Sequence, residues 1–512
     1  MTRKTLSGLV KKFGRHLQPL FPNNGKIFIS GVTCDSRRVK PGVIFCALSG
    51  QKTHGLRFGQ EVIRRGARVL LIERPYSKED FKKIGPRLKK AAVFAVSRLR
   101  PWLGELANWI YDNPSQKLRV AAITATSGKT TTCYLMEAIA RAAGQKVGVL
   151  GTISYRIGGK SRGASLTTPQ PDEAISLMAE MVKARCRFCF MEATSQALDM
   201  GRLDDLQING AIFGNLSRDH LDYHKTMPKY FEAKTTLFER ILAQSSKKEL
   251  FAVINHHDPW GKKLVGRLKK HPKIRRVTFG ISPEPSCEVW ASDIRLGLRG
   301  TDFDLHIKNK SYVVRLHLIG GHNVYNALAA AGACYAMGFS VQAIVRGLEN
   351  LRSIPGRLEQ IWQAKDFTLL VDYAHKPDAL DNVLKTLRRI PEVRRVIVVV
   401  GCGGDRDRGK RPIMGEIAAR LAGIAVFTSD NPRSENPEAI LDQIEAGAKK
   451  AGLVNYKRLA DRAEAIGWAI KEARPGDAVL IAGKGHETYQ IFRDRTIHFD
   501  DREVCRGILA KL

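Results

Sequence analysis

A short segment rich in small and hydroxyl residues is the first part of this sequence that could do chemistry. Residues 124–131 read Thr-Ala-Thr-Ser-Gly-Lys-Thr-Thr. Gly128 would let the backbone approach a phosphate, Lys129 would supply a cation for the β and γ phosphates, and Thr130 would offer its hydroxyl to Mg²⁺. The segment therefore predicts a site for a nucleoside triphosphate. The loop residues are Thr126, Ser127, Gly128, Lys129, Thr130 and Thr131.

The elements on either side must position this loop. An apolar run at 118–124 predicts a buried strand, and Leu135 and Ile139 recur at helical spacing until Gly144, a helix stop. A strand, a phosphate loop and a helix amino terminus together form an anion site. Ile123 stands where the full G-x-x-x-x-G-K-[ST] pattern begins with glycine. A surface turn that happens to contain Gly-Lys-Thr is therefore the alternative.

A second group of polar and glycine-rich turns lies in the last third of the chain. Four short apolar runs, at 368–371, 396–400, 424–428 and 478–482, alternate with helical patterns. This alternation is typical of a doubly wound parallel sheet. Asp372 and the segments 401–404, 430–433 and 483–487 come at or just after the ends of these runs. Ligands bind beyond the carboxyl ends of such strands, so a second site is predicted there.

Length and pattern together predict an α/β protein of three domains. Residues 1–98 form a small α/β module, residues 99–352 a central parallel sheet of the P-loop ATPase type, and residues 353–512 a Rossmann-like domain. Residues 112–117 are interpreted as a linker or loop. The first 21 residues favour an amphipathic helix over a secretory signal, and no apolar run is long enough to span a membrane.

Composition limits the classes of partner. The net charge of +34, from 84 Lys and Arg against 50 Asp and Glu, favours anionic partners. Because the excess is spread along the chain, a dedicated nucleic-acid arm is not indicated. The nine cysteines are scattered, and Cys186 and Cys189 form the one C-x-x-C. We interpret them as reduced thiols of a cytosolic protein, with a metal or redox role as the minor alternative.

Further motifs fall in an order that identifies a family. From residue 35 to residue 502 the chain resembles the Mur ligases, most strongly in its second half. The shared motifs include Asp35-Ser36-Arg37, Thr167-Thr168-Pro169, Glu192-Ala193-Thr194-Ser195, Asn215-Leu216-Ser217-Arg218-Asp219-His220, Tyr230-Phe231-Glu232-Ala233-Lys234, Asn323-Val324-Tyr325-Asn326, Pro355-Gly356-Arg357, Asp372-Tyr373-Ala374-His375, Asp430-Asn431-Pro432-Arg433 and Gly483-Lys484-Gly485-His486-Glu487. Any one motif is weak, whereas the ordered set is highly specific.

The resemblance implies an ATP-dependent amide-bond ligase of peptidoglycan precursor synthesis. ATP would phosphorylate a carboxylate, and an amine would then displace phosphate from the acyl phosphate. The implied partners are ATP, UDP-N-acetylmuramoyl-L-alanyl-D-glutamate and meso-2,6-diaminopimelate, with Mg²⁺ as cofactor. We expect a monomer in the cytoplasm that does not bind nucleic acid and does not insert stably into a membrane. Negative charge accumulates in such a reaction, which explains a need for cations and metal ions.

The resemblance also assigns residues to the ATP and metal site. Lys129, Lys234, Glu192 and His220 are the implied catalytic residues, and Thr130, Glu192, His220 and a carbamylated Lys234 would hold the metal. Asn323, Arg357 and Asp372 would contact the nucleotide, with His375 and Lys410 as further candidates. Without the family, Glu192 would be an ordinary strand-end carboxylate, His220 a histidine capping Asp219, and Lys234 a helix-surface lysine.

Two more groups of residues are implied for the other substrates. The UDP-muramoyl dipeptide would contact Ser36, Thr167, Thr168, Thr194 and Arg202. Diaminopimelate would contact Arg406, Asp430, Asn431, Pro432, Arg433, Gly483 and Glu487. Its second centre carries a carboxylate, which an arginine such as Arg433 can hold bidentately, and an ammonium, which acids can hold. Lysine lacks that carboxylate, so the motif favours diaminopimelate.

The sequence departs from the family pattern at several positions. Ala125 replaces the first glycine of the family's phosphate loop and Ser127 replaces its asparagine. Gln196 stands where the family usually has a histidine, and Met200 replaces a usual polar substrate contact. Alanine fits this loop only if the backbone keeps a negative φ. The alternatives are a related ligase such as a folylpolyglutamate synthase, a nucleic-acid-binding P-loop NTPase, and a protein that binds nucleotide without catalysis.

Overall fold

The computed structural model of the protein describes residues 4–21, 26–50, 53–76, 81, 91–281, 287–363 and 367–511. The chain forms two compact units. The first contains Met1–Thr278 and Gly332–Phe339, and the second contains Phe279–Ala331 and Ser340–Leu512. The predicted α/β class is confirmed in both units. The predicted domain boundaries after residues 98 and 352 stay predictions.

The first unit begins with a five-stranded sheet. Its strands lie in the order Gln18–Phe21, Ala92–Val96, Val69–Glu73, Val43–Ala47 and Gly31–Thr33, and they are parallel except for the first. The strands are rich in apolar residues and largely buried, as expected for a sheet covered on both faces. The helices around it are Leu6–Phe13, Gly59–Arg64 and Leu103–Tyr111, with short 3-10 turns at Gly14–His16, Ser36–Arg38, Gly55–Phe58 and Arg100–Trp102.

A second, larger sheet carries the phosphate loop. Its parallel strands are Val147–Leu150, Phe188–Glu192, Arg119–Thr124, Gly210–Phe213 and Leu250–Asn255, in that spatial order. The antiparallel hairpin Ser154–Ile157 and Lys160–Gly163 extends one side, and Ile274–Ile281 follows on the other. The accompanying helices are Lys129–Ala142, Pro171–Lys183, Ser195–Asp199, Leu221–His224, Met227–Thr236, the π-helix Leu237–Leu242, Pro259–Arg267 and the 3-10 turn Leu268–Lys270.

The prediction of a loop at 112–117 was wrong in part. Asp112 and Asn113 are left-handed, and a one-turn helix, Pro114–Lys117, follows them. Proline suits the first turn of a helix because its missing N–H would have no intrahelical partner there.

The second unit contains the predicted doubly wound sheet. Its strands lie in the order Glu359–Gln363, Phe367–Asp372, Asp477–Ala482, Arg395–Val400, Ile424–Phe427 and Tyr456–Arg458, and they are parallel except for the first. The helices are Pro377–Arg388, Lys410–Leu421, Pro437–Lys450, Arg462–Glu472 and Asp501–Leu509. A hairpin, Tyr489–Ile491 and Thr496–His498, lies near the carboxyl terminus.

An antiparallel meander precedes this sheet. It consists of Val289–Gly297, Gly300–Ile307 and Lys310–Leu316 and is followed by the helices Gly321–Ala336 and Val341–Asn350. All nine cysteines are free thiols, and both Cys186 and Cys189 are buried. Within the described ranges, no helix combines the length and the apolar character that crossing a membrane requires.

Candidate active site

The phosphate loop lies where the sequence predicts it, between the strand Arg119–Thr124 and the helix Lys129–Ala142. Gly128 has φ +85°, a left-handed conformation that glycine adopts without strain. The Lys129 amine donates hydrogen bonds to the carbonyl oxygens of Ala125, at 2.8 Å, and Thr126, at 3.2 Å. The loop thus bends around the ammonium group, which lies at the amino terminus of the helix, where anions bind.

Asn215 gives the loop its shape, a role that sequence reasoning missed. Its Oδ1 accepts hydrogen bonds from the backbone N–H groups of Thr126 and Ser127, both at 3.1 Å, and its Nδ2 donates to the carbonyl of Ser127 at 3.1 Å. The strand Gly210–Phe213 before it lies next to Arg119–Thr124 in the sheet. The available signal was the position of Asn215 just after a strand, in a motif of the family.

Glu192 and Thr130 lie together beside the loop. The Glu192 side chain is buried, and its Oε1 accepts from the Thr130 hydroxyl at 3.0 Å. Thr152 donates twice to the same carboxylate, through its backbone N–H at 2.8 Å and its hydroxyl at 3.0 Å. Gly151 leaves the room for this approach, because a Cβ there would lie 2.4 Å from Glu192 Oε1. Carboxylate and hydroxyl oxygens are the ligands that Mg²⁺ prefers, so Glu192 and Thr130 fit that ion. Sequence reasoning missed Thr152.

His220 lies on a loop that is tied to the phosphate loop. It has φ +54° at the start of the helix Leu221–His224, and its backbone N–H donates to Asp219 Oδ1 at 2.8 Å. Its ring Nε2 lies 3.6 Å from Asp219 Oδ2. Ser217, earlier in the loop, donates its N–H to the Thr126 hydroxyl at 3.0 Å. These bonds place the His220 loop beside the phosphate loop. The metal role of His220 stays a prediction.

Lys234 is buried rather than on a helix surface. Only 1% of the residue is exposed, and its amine donates to the Ala125 carbonyl at 2.9 Å and the Thr124 hydroxyl at 3.3 Å. Burial lowers the pKa of this amine well below its ordinary value, and the nearby Lys129 lowers it further. A neutral buried amine is the form that reacts with CO₂. Tyr230 lies under the amine, 4.7 Å from it, and its hydroxyl lies 3.2 Å from that of Thr126.

The residues predicted for the dipeptide form a connected group next to Glu192. The Thr168 hydroxyl donates to the Glu192 carbonyl at 2.8 Å and accepts from the Thr194 N–H at 3.0 Å. The hydroxyls of Thr167 and Thr152 lie 3.1 Å apart, and Arg202 donates to the Thr168 carbonyl at 2.9 Å. The structure therefore brings together Thr167, Thr168, Thr194 and Arg202.

Ser36 lies at the start of a 3-10 turn that packs near a helix of the larger sheet. Arg38, in that turn, forms an ion pair with Glu173 at 3.0 Å. Cys34, just before the turn, donates its N–H to Asp172 at 3.1 Å. Both acids belong to the helix Pro171–Lys183, so the turn is attached to the sheet that carries the phosphate loop. The predicted uridine contact of Ser36 stays a prediction.

In the second unit, Asp372 ends its strand and holds two turns together. Its carboxylate accepts N–H groups from Leu358 at 2.7 Å and from Ala374 at 2.8 Å. Burial raises the pKa of Asp372, and the nearby Arg357 partly opposes this effect. The Arg357 guanidinium lies over the Tyr373 ring at 5.1 Å. Lys410 donates to the carbonyl of His375 at 2.8 Å.

Asn323 lies in the helix Gly321–Ala336, and its side chain is already engaged. Its Nδ2 donates to the Ile319 carbonyl at 2.9 Å, and its Oδ1 accepts from Asn326 at 2.9 Å. The predicted nucleotide contacts of Asn323, Arg357 and Asp372 stay predictions.

The residues predicted for the amino acid gather at the carboxyl ends of the parallel strands. Asn431 donates to Glu487 Oε2 at 2.9 Å, and Arg433 donates to the carbonyl oxygens of Gly404, at 2.8 Å, and Asn431, at 3.4 Å. Gly483 has φ +116°, and a Cβ there would lie 2.9 Å from Asp430 Oδ2. Asn431 thus contacts both a cation, Arg433, and an anion, Glu487.

Three neighbouring residues complete this region. Arg406 donates to the Asp405 carbonyl at 3.0 Å, and the carbonyl of Pro432 accepts from the Glu435 N–H at 3.1 Å. Lys484, fully buried, donates to Glu487 Oε2 at 3.4 Å. Sequence reasoning gave Lys484 no role, although it stands inside a family motif.

Family models match three successive parts of the chain. They are described as "Mur ligase family, catalytic domain" at residues 28–111, "Mur ligase middle domain" at residues 123–334, and "Mur ligase, glutamate ligase domain" at residues 356–485. The chain belongs to the Mur ligase family.

Among Mur ligases, several relatives named UDP-N-acetylmuramoyl-L-alanyl-D-glutamate–2,6-diaminopimelate ligase are similar over nearly the whole chain. The protein of Geobacillus kaustophilus is 42% identical over 491 residues, 96% of each chain. That of Solibacter usitatus is 39% identical over 492 residues, again 96% of each chain. A solved structure with the same name is 33% identical, has a TM-score of 0.64, and covers 94% of this chain and 95% of its own.

The departure of this Mur ligase at Ala125 is accommodated by the backbone. Ala125 is not among the residues with positive φ, so its side chain causes no left-handed strain. Its methyl group is buried and faces Gly214, where a Cβ would lie 2.9 Å from the Ala125 Cβ. The space for the extra methyl group therefore comes from a glycine on the neighbouring strand end.

Proposed function

We propose that this Mur ligase uses ATP to join meso-2,6-diaminopimelate to the γ-carboxylate of D-glutamate in UDP-N-acetylmuramoyl-L-alanyl-D-glutamate, a step of peptidoglycan precursor synthesis. The observation that supports the choice of amino acid is that Arg433 and Glu487 both form hydrogen bonds with Asn431. The second centre of diaminopimelate carries a carboxylate and an ammonium, and an arginine and a glutamate match these two groups.

The proposed reaction has two steps. The γ-phosphoryl group of ATP passes to the D-glutamate carboxylate, which yields ADP and an acyl phosphate. The amine of diaminopimelate then attacks the acyl carbon, the amide bond forms, phosphate leaves with the electrons of the broken C–O bond, and the nitrogen releases one proton, which the departing phosphate takes up. Lys129, at the helix amino terminus, binds phosphate oxygens and opposes the negative charge that develops on them.

The fit of a metal ion rests on the oxygen atoms beside the phosphate loop. Thr130 and Glu192 would hold Mg²⁺, and His220 and a carbamate on Lys234 would complete its ligands. When bound, the ion would neutralise phosphate charge. Thr152 orients the Glu192 carboxylate, and Asn215 fixes the loop backbone through the N–H groups of Thr126 and Ser127. It stays a prediction that the protein uses Mg²⁺, that it is a monomer and that it lies in the cytoplasm. The need for ATP supports the predicted location.

Phosphate release by the purified protein tests the proposal. The assay contains ATP, Mg²⁺, UDP-N-acetylmuramoyl-L-alanyl-D-glutamate and either meso-diaminopimelate or L-lysine, and it also detects the tripeptide product by mass. We expect turnover with diaminopimelate alone. Turnover with lysine would contradict the choice of amino acid, and phosphate release stimulated only by nucleic acid would contradict the ligase itself.

Two matched variants test whether Arg433 determines the selectivity for diaminopimelate. Arg433→Ala should raise the KM for diaminopimelate by roughly tenfold or more, because a charge-assisted pair is lost. Arg420→Ala, which removes an exposed arginine of the same unit, should leave that KM unchanged. Equal effects of the two substitutions would show that Arg433 has no special part in amino-acid binding.

A further inference from the structure

Two turns that carry the predicted amino-acid contacts are joined by an ion pair whose arginine is buried. The Arg411 side chain is fully buried, and its guanidinium donates to both carboxylate oxygens of Glu435, at 3.0 and 2.9 Å. It also donates to the Gly403 carbonyl at 3.3 Å and to Gln443 Oε1 at 2.9 Å. Arg411 thus connects the turn after one parallel strand with the segment after the next.

Glu435 extends the connection to Asp405. Its Oε1 accepts the Asp405 N–H at 2.6 Å. In return, the Asp405 carboxylate accepts the N–H of Ser434 at 3.2 Å and its hydroxyl at 2.6 Å. These bonds join the turn that carries Arg406 to the turn that carries Arg433.

Both turns contain a residue in a strained backbone conformation. Asp405 and Arg433 each have φ +54°, a left-handed conformation that non-glycine residues keep only where their surroundings enforce it. Arg433 donates its N–H to the Ile491 carbonyl at 3.0 Å and its guanidinium to the Gly404 carbonyl at 2.8 Å. The direction of the Arg433 guanidinium therefore depends on where the turn around Gly404 lies.

We infer that Arg411 and Glu435 are positioning residues that set amino-acid selectivity by holding Arg433 and Arg406 in one fixed arrangement. The inference rests on the proposed function, in which those two arginines contact the amino acid. The fixed arrangement raises the affinity for diaminopimelate, because bidentate hydrogen bonds to a carboxylate require accurate placement of the arginine. It does not raise the affinity for lysine, which lacks that carboxylate. The pair acts through other residues and does not itself touch substrate.

The Glu435 carboxylate keeps its charge over the working range of pH. Hydrogen bonds from Arg411 lower the pKa of Glu435 to about 2, so the carboxylate stays ionised well into acid. Arg408 adds a second guanidinium 3.3 Å from Glu435 Oε2. Loss of the Glu435 charge would leave the buried Arg411 without its counter-ion. The side chain would then change its hydrogen bonds, and the two turns that it joins would shift.

Steady-state kinetics of Glu435→Gln and Arg411→Lys test the inference. We expect the KM for diaminopimelate to rise by roughly tenfold, with kcat and the KM for ATP within about twofold of the parent, because only the geometry of one subsite changes. The ratio of kcat/KM for diaminopimelate to that for L-lysine should fall accordingly. Glu416→Gln, in an exposed pair on the same helix, is the matched control and should change none of these values.

A double-variant cycle separates positioning from a general structural role. With Arg433→Ala already present, Glu435→Gln should raise the KM for diaminopimelate by no more than about twofold further, since its target is gone. Independent, multiplicative effects would overturn the inference, as would losses shared equally by kcat and the KM for ATP. If Glu435→Gln does not fold, Ser434→Ala, which removes one hydroxyl bond to Asp405, takes its place in the same cycle.

Different outcomes would refute the proposed function and the positioning role. A parent enzyme that makes no tripeptide with diaminopimelate would refute the proposed function. A parent that makes tripeptide, with an unchanged KM for diaminopimelate in Glu435→Gln, Arg411→Lys and Ser434→Ala, would refute the positioning role alone.

Discussion

Lys234 and Lys129 donate hydrogen bonds to the same carbonyl oxygen, that of Ala125, at 2.9 and 2.8 Å. Burial disfavours the charged form of Lys234, and the nearby ammonium group of Lys129 repels it further. Both effects lower the pKa of Lys234. The predicted phosphate loop thus also favours the neutral form of the Lys234 amine, and this relationship leads to the first prediction.

Replacement of Lys234 by alanine should reduce ligase activity by roughly 100-fold or more, because a carbamate ligand to the metal can no longer form. Parent enzyme depleted of CO₂ should lose activity and regain it with bicarbonate, and ¹³C-bicarbonate should give a carbamate signal in NMR spectra. Because only the neutral amine reacts, the response should be present above the lowered pKa and disappear as pH falls through it. Lys229→Ala, exposed on the same helix, is the control, and full activity of Lys234→Ala would contradict the role.

Thr152→Val should weaken metal-dependent activity. The substitution removes the hydroxyl that donates to Glu192 Oε2 and that contacts Thr167, while it keeps the shape and the backbone bond. Loss of such an outer contact lowers metal affinity or activity by roughly 10- to 100-fold. Titration of activity with Mg²⁺ should show a higher midpoint. Thr236→Val, whose hydroxyl bonds within its own helix, should behave like the parent.

Gly214→Ala should destabilise the protein, since its Cβ would lie 2.9 Å from that of Ala125. An overpacked site of this kind costs about 1–3 kcal/mol, and the KM for ATP should rise with it. The further change Ala125→Gly removes the opposing methyl group and should restore most of the loss. Thermal unfolding and ATP kinetics of the two single variants and the double variant check this. Additive effects would mean that the two positions do not interact.

Acid should destabilise the second unit through two histidines. Burial lowers the pKa of His375 and of His486 to about 4 each. The folded-state pKa lies below the unfolded value, so their contribution to stability is complete above about pH 6.5 and is lost as pH falls toward 4, by about 1–3 kcal/mol per residue. Urea unfolding from pH 7.5 to 4.5 should show this loss, reduced in His486→Asn. The exposed His498→Asn variant should retain the full loss.

Local patterns in the sequence were sufficient for the fold class and for part of the site. Gly128 and Lys129 lie between a strand and a helix, and a parallel sheet follows from alternating apolar runs, because these features depend on contiguous residues. Asp372 and Asp430 could be placed at one edge of the doubly wound sheet, because each comes at or just after the end of an apolar run in the sequence. The helix at Pro114 was missed because polar turn residues precede it, and its first turn has the same composition as a loop.

The partnerships that complete the site arise only in the tertiary structure. Thr152 and Glu192 are 40 residues apart, Asn215 and Ser127 are 88 apart, and Arg411 and Glu435 are 24 apart, so no local pattern pairs them. The low pKa of Lys234 likewise depends on burial, which a lysine on a polar helix does not reveal. The sequence by itself determined the residue types and the order of the motifs. The tertiary structure decided which of them are desolvated and paired, because both properties depend on neighbours that the chain brings together only on folding.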